Sequence, residues 1–552
     1  MKKNLILFFS MFLILIMFIS MFYAAFTGRK ENTVINNENA PGGASTEVLE
    51  QNLRINIRTE PPQLHPGLVT DSISKSVLLQ TFEGLTSFNP WGQTINAGAK
   101  VIKISDDQKT YTFTLRDTKW SNGDPVTAVD FEYAWKWVLD PANQSANAHQ
   151  LFYIKGAKAF NEGKGEANQV GVNAINDNTL QVKLDNPTPY FLELLATPAF
   201  FPIHSKVARE NPSWANGSSN QYISNGPFKL SEWHHGEKIF LKKNNNYWDS
   251  NVVKLKEITM LMINDPITEL SMYNNDELDW AGSPTGFLPM GGVMEVYGEE
   301  ELNTREVAGI YSYKLNTTVE PFNNVNIRKA FALAINRQEL VDFVALKGKV
   351  PAMSIVPPNM SLGSNSLFND SDVSKAKQYM QQGLEELGYK DVSELPAITL
   401  SIGATEEDIA IAQAIQKMWK NHLGIDIRIK NMELKEHIQN VQALKYQVVQ
   451  DLWIGDFKDP INFLDMYREA EYRNNGTGWE SKKFQSLLEQ SKKELDVTKR
   501  QDLLKNAEAV LIDQMPVIPL YFYSYNWLQK DNLINPDVSG LGQIKYKWAS
   551  FQ

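Results

Sequence analysis

The chain of 552 residues has room for three or four domains or for two large lobes. Its 43% hydrophobic, 21% charged and 11% aromatic content describes a folded protein with a large core, not a disordered chain. Lys and Arg number 54 against 64 Asp and Glu, giving −10 without any basic stripe, which excludes an ordinary nucleic-acid binder; no cysteine is present, which excludes disulfide frameworks, thiolate zinc sites, iron–sulfur clusters and cysteine nucleophiles.

At the N-terminus, Lys2 and Lys3 precede an apolar run from Leu5 to Phe26 broken only by Ser10 and Ser20. As a helix it would span roughly 33 Å, enough to cross a hydrocarbon core of about 30 Å. The run exceeds the apolar region of an ordinary signal peptide, and Tyr23-Ala24-Ala25-Phe26 is a poor small-x-small cleavage site. Residues 1–30 are therefore expected to be an uncleaved membrane anchor, with a cleaved signal segment as the alternative and the body outside the cytoplasm. Without those residues, which carry four cations and no acid, the charge falls to about −14. Residues 31–46 contain Asn, Glu, Gly, Ser and Pro with only Val34, Ile35 and two alanines, and are expected to be a flexible tether.

Beyond the tether, strand-like and helix-like stretches alternate without an internal repeat, the pattern of α/β or α+β lobes. Period-two alternation predicts strands at Leu53, Ile55 and Ile57, at Tyr111, Phe113 and Leu115, and at Leu180, Val182 and Leu184. Thr127 with Asp130 predicts a capped helix burying Phe131, Ala134, Trp135 and Val138. A further helix is predicted from Ile327 to Ala345, another after Thr405 and Asp408, and a strand at Ile425, Ile427 and Ile429.

The chain contains no Gly-x-x-x-x-Gly-Lys-Ser/Thr, Gly-x-Gly-x-x-Gly or Gly-x-Ser-x-Gly sequence. Its seven histidines never fall in a His-x-x-x-His pattern, and the adjacent His234 and His235 would face opposite sides of a strand, as a surface pair. Carboxylate pairs such as Asp456 and Asp459 are expected by chance among 64 acids. No motif argues for an enzyme, and neither a cofactor nor a metal is expected.

Several segments nevertheless occur in a telling order. They are Glu60-Pro61-Pro62-Gln63-Leu64-His65-Pro66, Phe82-Glu83-Gly84-Leu85, Trp120 through Ala128 with Asp130-Phe131, Asp140-Pro141, Asn225-Gly226-Pro227-Phe228, Asn246-Tyr247-Trp248, Phe322-Asn323-Asn324-Val325 with Arg328-Lys329-Ala330, and Trp453 through Pro460 with Phe463-Leu464-Asp465. Together, over about residues 50–550, the chain resembles the extracytoplasmic oligopeptide-binding proteins of ABC importers, the family 5 solute-binding proteins. The resemblance implies an α/β, two-lobed periplasmic-binding-protein-like fold with an inserted subdomain, closing over ligand by a hinge. By analogy, residues 47–82, 207–310 and 520–552 form lobe I, 83–206 the inserted subdomain and 311–519 lobe II.

The resemblance also implies a site. Asp456 stands where peptide binders of this family hold the ligand's α-ammonium, with Trp453 and Gly455 beside it, and Thr70 and Ser72 are further candidate ligand contacts. Asn147 stands where characterised members have a tyrosine, and Gln450 where they have an arginine, so the ligand's register or class is expected to differ. The implied function is capture of oligopeptides for the importer's membrane subunits by a monomer. The alternatives are the same fold binding a metal chelate, haem or sugar, and a peptide-sensing receptor without transport.

Overall fold

Among the described residues, alternating apolar residues build three larger sheets, beside three two-stranded ones. In the first, Asn52–Asn56 runs parallel to Glu257–Leu261, which continues antiparallel through Lys238–Lys243 to Phe228–His234. Leu53, Ile55 and Ile57 are completely buried on one side of it. The second is an antiparallel sheet in the order Ala99–Ile104, Thr110–Leu115, Thr179–Lys183, Val172–Asn176. Against it packs the helix Ala128–Leu139, whose Phe131, Ala134, Trp135 and Val138 are buried. Asp130 Oδ2 accepts from the Thr127 amide at 2.9 Å and hydroxyl at 3.2 Å, tying down the first turn. These facts come from a computed structural model that describes residues 50–552, apart from 90–91, 217–220, 290–297, 299–300, 344–347, 361, 363–365 and 472–473. The expected anchor and tether lie outside the described residues.

The third sheet has seven strands, centred on two of 13 residues each, Asn303–Leu315 and Val517–Gln529, which pair antiparallel. The long strands change neighbours partway along. Toward Asn303 and Gln529 they lie beside Trp280–Gly282; toward Leu315 and Val517 they lie beside Val448–Ile454, followed by the parallel strands Thr399–Ile402 and Arg428–Asn431. The change coincides with register slips between Glu306 and Ile310 and between Tyr311 and Ser312. Such bulges bend a ribbon and increase its twist.

Two sequence expectations need correction. The helix foreseen from Ile327 to Ala345 is two helices, Val325–Leu333 and Arg337–Phe343. Asn336 divides them, because its side-chain Oδ1 accepts the Glu339 amide at 3.1 Å and so starts a new helix. The strand foreseen from Ile425 begins only at Arg428; Ile425 and Ile427 are buried but lie in the connection from the preceding helix, Glu406–Leu423. Burial alone supplied their apolar pattern.

Most of the motifs behind the resemblance act as struts. The buried Glu83 accepts from Tyr247 Oη and Trp248 Nε1, each at 2.7 Å, while Asn225 Oδ1 accepts the Glu83 amide and its Nδ2 donates to the Glu83 carbonyl. Gly226 is needed at this junction, since a Cβ there would lie 2.5 Å from the Thr81 carbonyl carbon. Asn324 caps its helix through the Asn326 and Ile327 amides, and Arg328 donates to the Gln514 and Phe322 carbonyls. His234 and His235 are exposed and meet Glu232 and Glu60.

Candidate functional site

The strand Val448–Ile454 delivers Trp453, Gly455 and Asp456 to its C-terminal end. Beside the parallel strand Thr399–Ile402, this is the end of an α/β sheet where ligands generally lodge. The segment is held at both sides. Gly455 donates its amide to the Ala308 carbonyl at 2.8 Å, and Asp459 forms a two-pronged ion pair with Arg500, Oδ2 with Nη1 at 2.8 Å and Oδ1 with Nη2 at 2.9 Å. Both side chains of that pair are about nine-tenths buried, at 9% and 10% exposure. A desolvated, fork-to-fork pair of this kind fixes direction as well as distance.

Asp456 and Trp453 line a cavity of about 430 Å³. One wall comes from the chain between His149 and Leu194, including Gln150, Tyr153, Asp185 and Tyr190; the other comes from the chain between Trp453 and Lys492. Trp453 donates from Nε1 to Asn462 Oδ1 at 2.9 Å, which ties its ring to the helix Ile461–Leu464. The far wall carries a lattice of charges in which Arg468 and Lys492 both approach Asp465 and Glu489. The volume lies within the range of about 300–1,000 Å³ usual for small-ligand sites.

The two walls already touch. Tyr190 stacks on Phe457, with ring centroids 4.6 Å apart and planes 11° from parallel, and the Arg500 guanidinium lies 5.6 Å above the Tyr190 ring. The Lys458 amide donates to Glu193 Oε2 at 2.6 Å, although burial still holds the Glu193 carboxyl above its ordinary pKa. Asp456 Oδ1 meets Lys75 Nζ at 2.9 Å, with both side chains 28% exposed. Lys75 projects from the helix Ser72–Thr81, whose first turn is capped by Asp71 through the Ser74 amide at 2.7 Å.

The remaining candidates sit apart from the cavity wall. Asn147 is buried with its Nδ2 directed at the Val69 carbonyl at 2.9 Å and at the Gly67 carbonyl at 3.4 Å, while its Oδ1 accepts from Gln150. It props a loop and orients a wall residue. Gln450 uses its Oε1 to accept the Gly403 amide at 3.0 Å within the large sheet. Thr70 and Ser72 are exposed at the start of the Lys75 helix, and Gly455 is buried against Phe463. Lys75, Tyr190, Glu193 and Arg500 were not foreseen. Their partners lie at least 41 residues away, Lys75 being 381 residues from Asp456, and no local pattern marks such pairs.

Two long bulged strands run through the seven-stranded sheet, and a partly charged cavity lies between facing walls. Residues 63–475 match the family described as bacterial extracellular solute-binding proteins, family 5, and the chain belongs to that family. Membership gives it the two-lobed fold and places it outside the cytoplasm. It is 48% identical over 504 residues to the oligopeptide-binding protein OppA of Bacillus subtilis, covering 91% of this chain and 92% of that one. Among solved structures, Listeria monocytogenes OppA bound to peptide is 31% identical with a TM-score of 0.77, covering 91% and 99% of the two chains. Haemophilus influenzae OppA in complex with RPPGFSPFR is 28% identical with a TM-score of 0.79, over the same shares.

Proposed function

We propose that this protein captures oligopeptides between its two lobes and presents them to the membrane subunits of an ABC importer, binding its cargo without turning it over. The observation that carries the reading is Asp456, whose segment is held by the Gly455 amide contact and the Asp459–Arg500 pair and which lines a 430 Å³ cavity. Removed from most solvent, such a carboxylate favours a cationic partner, and a peptide's α-ammonium can take the place that Lys75 holds. Trp453 is the apolar wall beside it. Gln150, oriented by Asn147, offers an amide to the peptide backbone, and Gln450 acts through the Gly403 loop; Gly455, Thr70 and Ser72 shape the approach.

The bulges at Glu306–Ile310 and Tyr311–Ser312 support a hinge in the two long strands, near the lobe boundaries expected at 310/311 and 519/520. The protein acts as a monomer held to the outer face of the membrane by residues 1–30 through the 31–46 tether. The experiment is native mass spectrometry of the purified protein followed by calorimetric titration with RPPGFSPFR. A copurifying pool of peptides is expected, and Asp456→Ala should weaken binding by about 2–5 kcal/mol, the cost of truncating one member of a desolvated charge pair. A single non-peptide mass would overturn the choice of ligand. Unchanged affinity in Asp456→Ala would remove that residue from the site.

A further inference from the structure

Asp456 is not waiting for its first cation. Among the described residues Lys75 is its ion-pair partner, reaching Oδ1 from a helix that begins at Ser72 and is separated from Asp456 by 381 residues of chain. Asp456 belongs to the cavity wall, and Lys75 reaches its Oδ1 from the helix Ser72–Thr81. Its position is set by the backbone: Asp71 caps the helix, and the Lys75 amide donates to the Asp71 carbonyl at 3.2 Å. The backbone on either side of Asp456 is held by the Gly455 amide bond to the Ala308 carbonyl and by the Asp459–Arg500 pair.

We infer that Lys75 is a specificity-determining residue, a built-in competitor that occupies Asp456 when the cleft is empty and that an incoming α-ammonium must displace. The inference rests on the reading of Asp456 as the ammonium site. Without a cation, closing the cleft would leave a carboxylate at 28% exposure with no counter-charge, and Lys75 supplies one. A ligand with a free amine replaces one ion pair by another, and the released Lys75 returns to solvent on its flexible stem. A ligand with a blocked amine cannot evict the lysine, yet it leaves Asp456 paired. Lys75 therefore weakens the binding of free-amine peptides and protects the binding of blocked ones, narrowing the discrimination that Asp456 alone would impose.

The test is calorimetric titration of the full-length wild type, Lys75→Met, Lys75→Gln, Lys75→Arg and Asp456→Ala with RPPGFSPFR and with its N-acetylated form. Removing a partly exposed ion-pair competitor should tighten binding of the free-amine peptide roughly 3- to 10-fold in Lys75→Met. The acetylated peptide should bind no better or more weakly, so the ratio between the two widens. Lys75→Gln, which keeps a polar chain, guards against a folding defect and should behave in the same way, while Lys75→Arg should keep the wild-type ratio. An unchanged or narrower ratio in both charge-removing variants would overturn the inference. If Asp456→Ala abolishes the free-amine preference at the same time, the reading of Asp456 survives that failure. If Asp456→Ala changes nothing, or RPPGFSPFR fails to bind wild type, both fall.

Discussion

Replacing Glu508 by Gln should make the protein more stable above neutral pH while leaving it unchanged in acid. Glu508 lies on the helix Val497–Gln514 and is 2% exposed. Its Oε1 accepts the amides of both Ile355 and Val356, at 2.8 and 2.7 Å, and so anchors a segment leading to Met360, which lies within reach of any side chain added at Gly455. Burial raises the Glu508 pKa from 4.5 to about 7, against the opposing pull of the two amides. Between those values the folded chain holds a proton that the unfolded chain has released, so stability falls as pH rises from about 4.5 through about 7 and then levels. The loss amounts to about 3 kcal/mol in total, taking 1.36 kcal/mol per pKa unit.

Gln preserves the Oε1 acceptor and has the shape of the protonated acid, so it removes the loss without removing the anchor. For a chain of this size about 3 kcal/mol corresponds to roughly 3–6 °C in Tm. Calorimetric scans at pH 5, 6, 7 and 8 should show the mutant and wild type together at pH 5 and the mutant above it at pH 8. Glu269, also buried and raised to about 7, titrates in both proteins and cancels in the difference. A difference that is flat with pH, or a mutant less stable at pH 8, would refute the reasoning.

Two further outcomes follow from the segment that carries Asp456. Arg500→Ala leaves the nine-tenths buried Asp459 without its partner and should cost about 3–5 kcal/mol of stability, measured by denaturant unfolding, with weaker peptide binding in the titration. Gly455→Val forces side-chain atoms against Phe463, whose ring would lie 3.1 Å from even a Cβ at that position; overpacking of this kind costs about 1–3 kcal/mol. Binding of RPPGFSPFR should fall more than Tm does, because the displaced atoms adjoin Asp456, and an affinity equal to wild type would show that Gly455 does not position it.

The strands at Leu53–Ile57, Tyr111–Leu115 and Leu180–Leu184 were legible because one buried face imposes a period of two on the sequence. The helix break at Asn336 was not, since the apolar spacing continues across it and only a hydrogen bond from Glu339 separates the two pieces. Asn147 reads in sequence as a substitute for a ligand contact, but an amide can satisfy buried carbonyls as readily as a ligand, and here Val69 and Gly67 claim it. Sequence position identifies which side chain occupies a place and leaves open which way it faces.

What the sequence by itself determined is the class of chain: its cysteine-free composition, its acidic charge, the alternation of its strands and the ordered motifs whose Glu83, Asn225, Tyr247 and Trp248 prove to brace one another. Such residues are recognisable because their hydrogen-bond geometry allows few substitutes. The tertiary structure alone decided which distant groups share the cleft. Lys75 stands against Asp456, Tyr190 against Phe457 and Glu193 against the Lys458 amide because separate elements are packed together through a buried core to which Tyr190 and Phe457 themselves belong. An ion pair spanning 381 residues leaves no periodicity or spacing in the chain. It exists only once the helix Ser72–Thr81 and the segment after the strand Val448–Ile454 have been brought together.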